Sequence, residues 1–382
     1  MSLKRISYFE YKDSPKHWEL KACDFVSVNL VVGVNSTGKT RFINVVGGLC
    51  KILCAKTTEP FMSGTYDFDV VLEKELYSVK MEFADGIVVS EELKVDEVVR
   101  MRRGRDGKGK IYYASEGKDI DFQVPENIIA IQQRRDTLQH PFIVKLSEWA
   151  DKCDAFSFSA SFANNSLLSI NALQAQGISN DPRGKNLVKS YIEAFQAYGD
   201  VLDKAIIKDM KSLGYSISEV HALDMRAIHP EITVPEPLLG MCVTEKQPQG
   251  KKGARNLQVS QLHMSQGMFR ALSLVIHLNI SALSKKPSLL LVDDIGEGLD
   301  YERSTSIIDL LIRHAEKSTH QVIMTSNDRF VMNRVPLQYW MIFSRKAGVV
   351  STFTARSHPK DFKEFEYMGL SNFDFFKSNK LH

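Results

Sequence analysis

The segment GVNSTGKT, Gly33–Thr40, contains the pattern that decides the fold. It matches G-x-x-x-x-G-K-[ST] and stands between the apolar run VNLVV (28–32) and the helical pattern RFINVVGGLCKILCA (41–55). In a strand–loop–helix of this kind, the backbone N–H groups of the loop and the N-terminus of the helix attract anions. Gly33 and Gly38 allow the tight turn, since they carry no Cβ. We therefore predict an α/β fold with a phosphate-binding loop.

Two residues of this loop carry the predicted chemistry. Lys39 places a cation on the β- and γ-phosphates of a nucleoside triphosphate, and the hydroxyl of Thr40 completes the coordination of Mg²⁺. ATP and Mg²⁺ are therefore the predicted ligands.

The second motif is SLLLVDD, Ser288–Asp294. Four apolar residues in succession predict a strand buried on both faces, at whose end two carboxylates are costly without a function. Asp293 is the predicted Mg²⁺ ligand, acting through water, and Asp294 is predicted to orient or deprotonate the attacking water. The alternative is an acidic helix cap after a core strand.

Composition excludes several classes of protein. The 382 residues are 43% hydrophobic and 25% charged, as in globular proteins, and 49 basic against 46 acidic residues give a net charge of +3. The five cysteines contain no C-x-x-C pair, which favours a reducing cytoplasm over a disulfide framework. The longest apolar stretch, 271–283, is interrupted by His277 and Asn279, so we expect a cytoplasmic protein with no membrane partner.

A third motif indicates the class of P-loop protein to which the chain is similar. HMSQGMFRAL, His263–Leu272, precedes the second motif and begins a long helical pattern, with Ser265 and Gly267 at the serine and second glycine of L-S-G-G-Q. With GEGLD (296–300) and TSND (325–328) after it, the chain resembles the ABC-type ATPases. The nearest branch contains the SMC and RecF proteins and the ATPase modules of the OLD nucleases. The alternative for Ser265 is an ordinary helix cap.

This resemblance implies a P-loop NTPase fold of the ABC-ATPase type, with an antiparallel β subdomain and a helical insertion. We predict an N-terminal lobe at 1–135, the helical insertion at 136–235 and a C-terminal lobe at 236–382. Within the lobes, the patterns predict single strands at VVLEKEL (70–76) and IIAIQQ (128–133), and edge strands at YWMIFSR (339–345) and VVSTFTA (349–355).

The resemblance also implies the site. One copy binds the nucleotide phosphates, and the S-x-G helix of a second copy contacts the γ-phosphate with Ser265 and Gly267. Either Gln132 or Gln133 is the Q-loop residue that senses Mg²⁺ and water, unless it is merely a surface glutamine. Residues 296–300 form the D-loop, and Asn327 stands where a switch histidine is usual. The implied phosphate-lining residues are Asn35, Ser36, Thr37, Gly38, Lys39, Thr40 and Arg41.

Departures from the pattern predict slow hydrolysis. Asp294 replaces a glutamate and is one methylene shorter, and Asn327 cannot titrate near neutral pH as histidine does. Met264 and Met268 replace the first and last residues of the S-x-G motif. We therefore expect a switch or timer rather than a motor.

Three functions are compatible with this expectation. The first is a homo-oligomeric sensor or regulator of a bacterial anti-phage defence or toxin–antitoxin-like system, acting on a separate nuclease or toxin. A separate effector is expected because the residues after Asp294 are too few for the Toprim nuclease of the OLD proteins. The second is a RecF- or SMC-like DNA-repair or chromosome-maintenance clamp. The third is a regulatory nucleotide-binding protein with negligible turnover.

Two basic loops, 100–110 and 246–255, are candidate DNA contacts, and solvated hairpin tips are the alternative.

Overall fold

In a computed structural model, the residues described are 1–57, 60–158, 167–171, 186–245, 257–285, 288–317, 320–366 and 368–377. They form two compact units. The first contains Met1–Asp154, Pro287–Asp293 and Thr319–His382, and the second contains Ala155–Lys286 and Asp294–Ser318. These two units group the chain differently from the three segments predicted from the sequence. The three-segment division therefore stays a prediction. The basic loop at 246–255 lies outside the described residues. Each of the two units is described by itself.

The helices and strands have the following bounds. The strands are β1 (Ser2–Glu10), β2 (Trp18–Asp24), β3 (Val28–Val32), β4 (Ser63–Leu72), β5 (Glu75–Ala84), β6 (Ile87–Val95), β7 (Val98–Arg103), β8 (Lys108–Tyr113), β9 (Lys118–Gln123), β10 (Cys153–Ser157), β11 (Leu168–Ser169), β12 (Ile217–Asp224), β13 (Leu238–Glu245), β14 (Leu257–Ser260), β15 (Leu289–Asp293), β16 (Gln321–Thr325), β17 (Trp340–Lys346) and β18 (Val349–Thr354). The helices are α1 (Lys39–Leu53), α2 (Ala130–Gln133), α3 (Pro141–Asp151), α4 (Leu187–Tyr198), α5 (Asp200–Ser212), α6 (Met225–Ile228), α7 (Gln266–Ser284), α8 (Tyr301–Lys317), α9 (Arg329–Arg334), α10 (Pro359–Glu366) and α11 (Asn372–Lys377).

One sheet organises the first unit. Its order is β15-β16-β3-β17-β18-β2-β1-β4-β5-β6-β7-β8-β9, and β10 begins beside β15. From β15 to β17 the neighbours are parallel, whereas from β2 to β9 they are antiparallel. The sheet thus combines an α/β half with an antiparallel subdomain, which confirms the predicted fold class.

Helix α1 covers the parallel half of the sheet. Phe42, Val46, Leu49 and Leu53 recur at steps of three and four residues, and all four side chains are fully buried. The ring of Phe42 meets the edge of Phe343 with 5.3 Å between centroids, which attaches the helix to β17. This packing fixes the direction of α1, and therefore the position of the loop before it.

Four strand predictions were wrong. The segment 70–76 is two strands, because Glu73 and Lys74 have positive φ angles of 50° and 81° and form a hairpin turn. The end of the segment 128–133 is the helical turn α2. The segment 339–345 is β17, which lies between β3 and β18 rather than at an edge, and β18 in turn lies between β17 and β2.

A buried ion pair connects β6 and β7. The side chains of Glu91 and Arg103 are both fully buried, and Arg103 Nε lies 2.9 Å from Glu91 Oε2. The same carboxylate accepts hydrogen bonds from the N–H groups of Ala130 and Ile131, at 2.8 and 3.3 Å, in the first turn of α2. Arg103 is therefore a structural residue, and its prediction as a DNA contact is wrong.

The second unit is built around α7. Its small sheet has the order β11-β13-β12, with β14 on β13, and α5 packs on α7. Most residues of α7 from Met268 to Asn279 are buried, including the polar Asn279, which donates to Asp209 Oδ2 at 2.9 Å. Although burial acts to raise the pKa of Asp209, hydrogen bonds from His314 and Asn279 lower it below its usual value.

By length and composition alone, Gln266–Ser284 could also cross a membrane, contrary to the sequence expectation. In the structure, 67% of its apolar window is buried, which accounts for its composition.

We predict that Glu91→Gln lowers the free energy of unfolding by about 3–5 kcal/mol, because it leaves the Arg103 charge buried without a counter-charge. Urea unfolding measures the change. The matched control is Glu92→Gln on the same strand, whose partner Arg102 is largely exposed. This control should cost less than about 1 kcal/mol. Equal losses in the two variants would contradict the structural role of the buried pair.

Candidate nucleotide-binding site

The loop between β3 and α1 is tightly wound. The hydroxyl and the N–H of Thr37 both donate to the carbonyl of Val34, at 2.9 and 3.3 Å. A Cβ on Gly33 would lie 2.7 Å from Thr37 Oγ1, and one on Gly38 would lie 3.2 Å from the indole nitrogen of Trp18. Gly38 also has a φ of +100°, so only glycine fits both positions without strain.

Lys39 and Thr40 are in the first turn of α1. Lys39 is 7% exposed, and its ammonium donates to the carbonyls of Gly33 and Val34, at 2.8 and 3.3 Å. The cation thus lies against the loop that would surround a phosphate. Thr40 is exposed at the helix start, so its hydroxyl is accessible to a ligand.

Two further motif residues lie at the carboxyl ends of β15 and β16, the two strands on one side of β3. Asp293 ends β15 and is 3% exposed, and its Oδ1 accepts a hydrogen bond of 2.6 Å from the hydroxyl of Thr325 at the end of β16. Asn327 follows β16 and donates to Asn35 Oδ1 in the phosphate loop, at 2.9 Å. The hydroxyl of Thr40 and the carboxylate of Asp293 are oxygen ligands of the kind that Mg²⁺ takes, so these residues fit the ion.

In the second unit, the S-x-G segment and the D-loop pack on each other. Ser265 caps α7 by accepting from the N–H of Met268 at 3.2 Å. A Cβ on Gly267 would lie 3.0 Å from the carbonyl of Gly298, which explains the glycine. Arg270 is 9% exposed and donates to the carbonyl of Glu297 at 2.9 Å. We call Ser265–Arg270 together with Gly296–Asp300 the S-x-G block.

The C-terminal end of this block carries an ion pair. Asp300 pairs with Arg303, whose guanidinium lies 4.5 Å from the ring centre of Tyr215. The backbone N–H of Arg303, together with its guanidinium, holds the pKa of Asp300 below its usual value. Burial raises the pKa of Tyr215. The carboxylate of Asp300 accepts from the backbone N–H of Arg303 at 2.9 Å and so caps the start of α8.

Comparison with known proteins identifies the family. Residues 28–333 match the family described as "AAA domain, putative AbiEii toxin, Type IV TA system". The chain belongs to this family. No curated protein matches the sequence.

Solved structures show the same fold. An SMC head bound to the C-terminal winged-helix domain of ScpA is 11% identical, with a TM-score of 0.54, over 94% of this chain and all of that one. An SMC head with an extended coiled coil, bound to the C-terminal domain of ScpA from Pyrococcus furiosus, is 10% identical, with a TM-score of 0.51, over 95% of this chain and 99% of that one. These similarities show that the chain has the fold of the SMC heads, and the family match shows a P-loop domain of the AAA type.

The structure contradicts the role predicted for Gln132 in this AAA-family chain. Its amide donates to the carbonyls of Ile52, in the last turn of α1, and of Thr57, just beyond that helix, at 2.8 and 2.6 Å. Lys39 is at the other end of the same helix, about 20 Å from Ile52 at a rise of about 1.5 Å per residue. In this structure the Gln132 amide is therefore bound away from the phosphate loop, and the assignment of Gln133 as the Q-loop residue stays a prediction.

Arg41 also differs from its prediction as a phosphate ligand. It forms an ion pair with Glu10, and its guanidinium lies 4.7 Å from the ring centre of Trp18. Its charge is therefore already compensated by a carboxylate.

Sequence reasoning missed two arginines. Arg270 lies inside an apolar helix, where a charged residue is itself a signal of a specific partner. Arg345 ends the apolar run of β17 and donates to the carbonyl of Ser36 in the phosphate loop, at 3.1 Å. Its only sequence signal was its position at the carboxyl end of a strand.

We predict that Lys39→Ala weakens ATP binding on the order of a hundredfold, since it removes a charged hydrogen-bond donor from the phosphates. Titration with a fluorescent ATP analogue and Mg²⁺ measures the affinity. Arg41→Ala is the matched control and should change the affinity by less than about threefold, because Arg41 is paired with Glu10. A larger loss in Arg41→Ala than in Lys39→Ala would reverse the two assignments.

Proposed function

We propose that this ATPase is an ATP-gated oligomeric switch, in which the phosphate loop of one copy and the S-x-G block of a second copy enclose one nucleotide. The observation that carries the proposal is the packing of the S-x-G block, in which Gly267 contacts Gly298 and Arg270 holds the D-loop carbonyl. The exposed start of α7 presents Ser265 and a helix N-terminus, which together suit the γ-phosphate of a neighbour.

The residues have the following roles in this proposal. Lys39 binds the β- and γ-phosphates, while Thr40 and Asp293 hold Mg²⁺, which neutralises phosphate charge when bound. Asp294 accepts the proton of the attacking water or orients it. Asn327 donates a hydrogen bond to the γ-phosphate in place of Asn35, its present partner.

Slow turnover follows from two of these residues. The shorter side chain of Asp294 reaches less far than the usual glutamate, and Asn327 cannot carry a proton away. Slow hydrolysis would keep the closed state long enough to act as a signal. Once the γ-phosphate has been hydrolysed and lost, the charge that bridges the two copies is gone and the oligomer opens.

We further propose that the switch serves as the cytoplasmic sensor or regulator of a bacterial anti-phage or toxin–antitoxin-like system, and that it controls a separate nuclease or toxin. The family description, which names a putative toxin of a type IV toxin–antitoxin system, supports this role.

The RecF- or SMC-like DNA clamp has less support. In the basic segment 100–110, Arg103 is buried against Glu91, and Arg102 donates to Glu92 at 2.6 Å. Arg100 lies 4.4 Å from the ring centre of Tyr112. These three arginines already have partners within the sheet, which leaves fewer cations for a phosphate backbone.

We predict that two variants, each inactive alone, recover ATP hydrolysis when they are mixed. Lys39→Ala lacks the phosphate contact and Ser265→Arg blocks the S-x-G helix, so each alone should lose ATP hydrolysis. Mixed oligomers contain one site built from the intact half of each chain, and phosphate release should partly recover. The control mixes Lys39→Ala with the double variant Lys39→Ala/Ser265→Arg, which offers no intact phosphate loop. No recovery in the first mixture would exclude a site shared between copies.

We predict that Asp294→Asn retains ATP binding but accumulates a closed oligomer, because the water is no longer activated. Light scattering with ATP and Mg²⁺ measures the mass. The same trapped oligomer separates the two functions. Specific retention of the product of a neighbouring gene, without DNA, favours the regulatory role. DNA binding that weakens steeply between low and high salt, without any partner, favours the clamp. Normal hydrolysis by this variant would overturn the assignment of Asp294.

A further inference from the structure

Arg345 stands at the open side of the phosphate loop. β17 pairs in parallel with β3, and the register Met341↔Val31 and Ile342↔Val32 carries the chain past Phe343 alongside Gly33. The next residues of β17 therefore run beside the loop as it leaves β3. The side chain of Arg345 reaches the loop and donates from Nη1 to the carbonyl of Ser36 at 3.1 Å.

This arginine differs from the other cations near the loop. Lys39 is buried under the loop, and Arg41 is paired with Glu10. Arg345 is exposed, and within the described part of the chain it forms no ion pair with a carboxylate. A carbonyl compensates a guanidinium only in part, since a charged acceptor gives a shorter and stronger bond. A phosphate oxygen is therefore a better partner for Arg345 than the carbonyl of Ser36.

The residues around Ser36 indicate which end of the nucleotide Arg345 would contact. Ser36 is next to Asn35, and the side chain of Asn35 is hydrogen-bonded to Asn327, the proposed γ-phosphate donor. Arg345 thus reaches the same part of the loop as Asn327, whereas Lys39 and Thr40 are in the first turn of α1. The exposed position of Arg345 also allows its long side chain to swing towards a ligand.

We propose that Arg345 binds the γ-phosphate from the same copy that holds the phosphate loop, and so makes the site discriminate a nucleoside triphosphate from a diphosphate. On binding, Arg345 exchanges the carbonyl of Ser36 for a γ-phosphate oxygen. ADP has no such oxygen, so with ADP the bond to Ser36 persists. This proposal rests on nucleotide binding at Gly33–Thr40, as in the proposed function.

The test compares the affinities of the full chain for AMP-PNP and ADP, each with Mg²⁺, by competition against a fluorescent nucleotide. Arg345→Ala should weaken AMP-PNP binding about tenfold or more, as expected for a hydrogen bond between charged groups. ADP affinity should change less than about threefold. Arg345→Lys should recover part of the loss, because it keeps the charge but loses the planar fork.

The matched control is Lys346→Ala, which removes the next exposed cation of the same strand and should alter neither affinity. Equal weakening of AMP-PNP and ADP binding by Arg345→Ala would show that Arg345 only shapes the loop, and no weakening would show that it makes no contact. Either result overturns the proposal while leaving the proposed function intact. Absence of nucleotide binding by the unaltered chain, with no further change in Lys39→Ala, would overturn both.

Discussion

The parallel pairing of β3 with β16 on one side and β17 on the other is the constraint on which the site depends. Val31 pairs with Thr325 and Val32 with Ile342, so β3 lies beside two strands that follow it by about 300 residues in the chain. The edge of the sheet at which β3 ends also receives Asp293 from β15. Without this register, neither Asp293 nor Asn327 would lie at the edge of the sheet that carries the phosphate loop.

Keeping that register requires polar residues inside fully buried strands. Asn29 in β3 donates to the carbonyls of Val26 and Val322, at 2.8 and 3.1 Å, and so connects β3 with β16. Gln321 exchanges two hydrogen bonds with the backbone of Leu3, at 2.8 and 2.9 Å, and attaches β16 to β1. Because every buried amide needs a partner, these side chains disfavour a shifted register more strongly than interchangeable apolar residues could.

Local patterns predicted the parts of the fold in which composition and period agree. The strand–loop–helix at 28–53, the strand before Asp293 and helix α7 were all predicted from runs of residues that are close in sequence. Segment 128–133 failed because an apolar run has the same composition in a strand and in a helix. The carboxylate of Glu91 accepts the N–H groups of Ala130 and Ile131, and this contact across 40 residues selects the helical turn. The same long-range origin hid the burial of Arg103 and the approach of Arg345 to Ser36.

The packing of the S-x-G block has a consequence for how hydrolysis and opening are linked. Asp294 has a φ of 52°, a conformation that costs a residue other than glycine about 1 kcal/mol or more. Its carbonyl accepts from the N–H of Glu297 at 3.2 Å, and the carbonyl of Glu297 accepts from Arg270 on α7. The residue proposed to activate water is therefore connected, through one turn and one guanidinium, to the helix that carries Ser265. A movement of α7 away from a neighbour's nucleotide would be transmitted to Asp294 through this connection. In the proposed switch, the release of one shared nucleotide thus disturbs the catalytic carboxylate that serves the other, which couples the two sites of a symmetric pair.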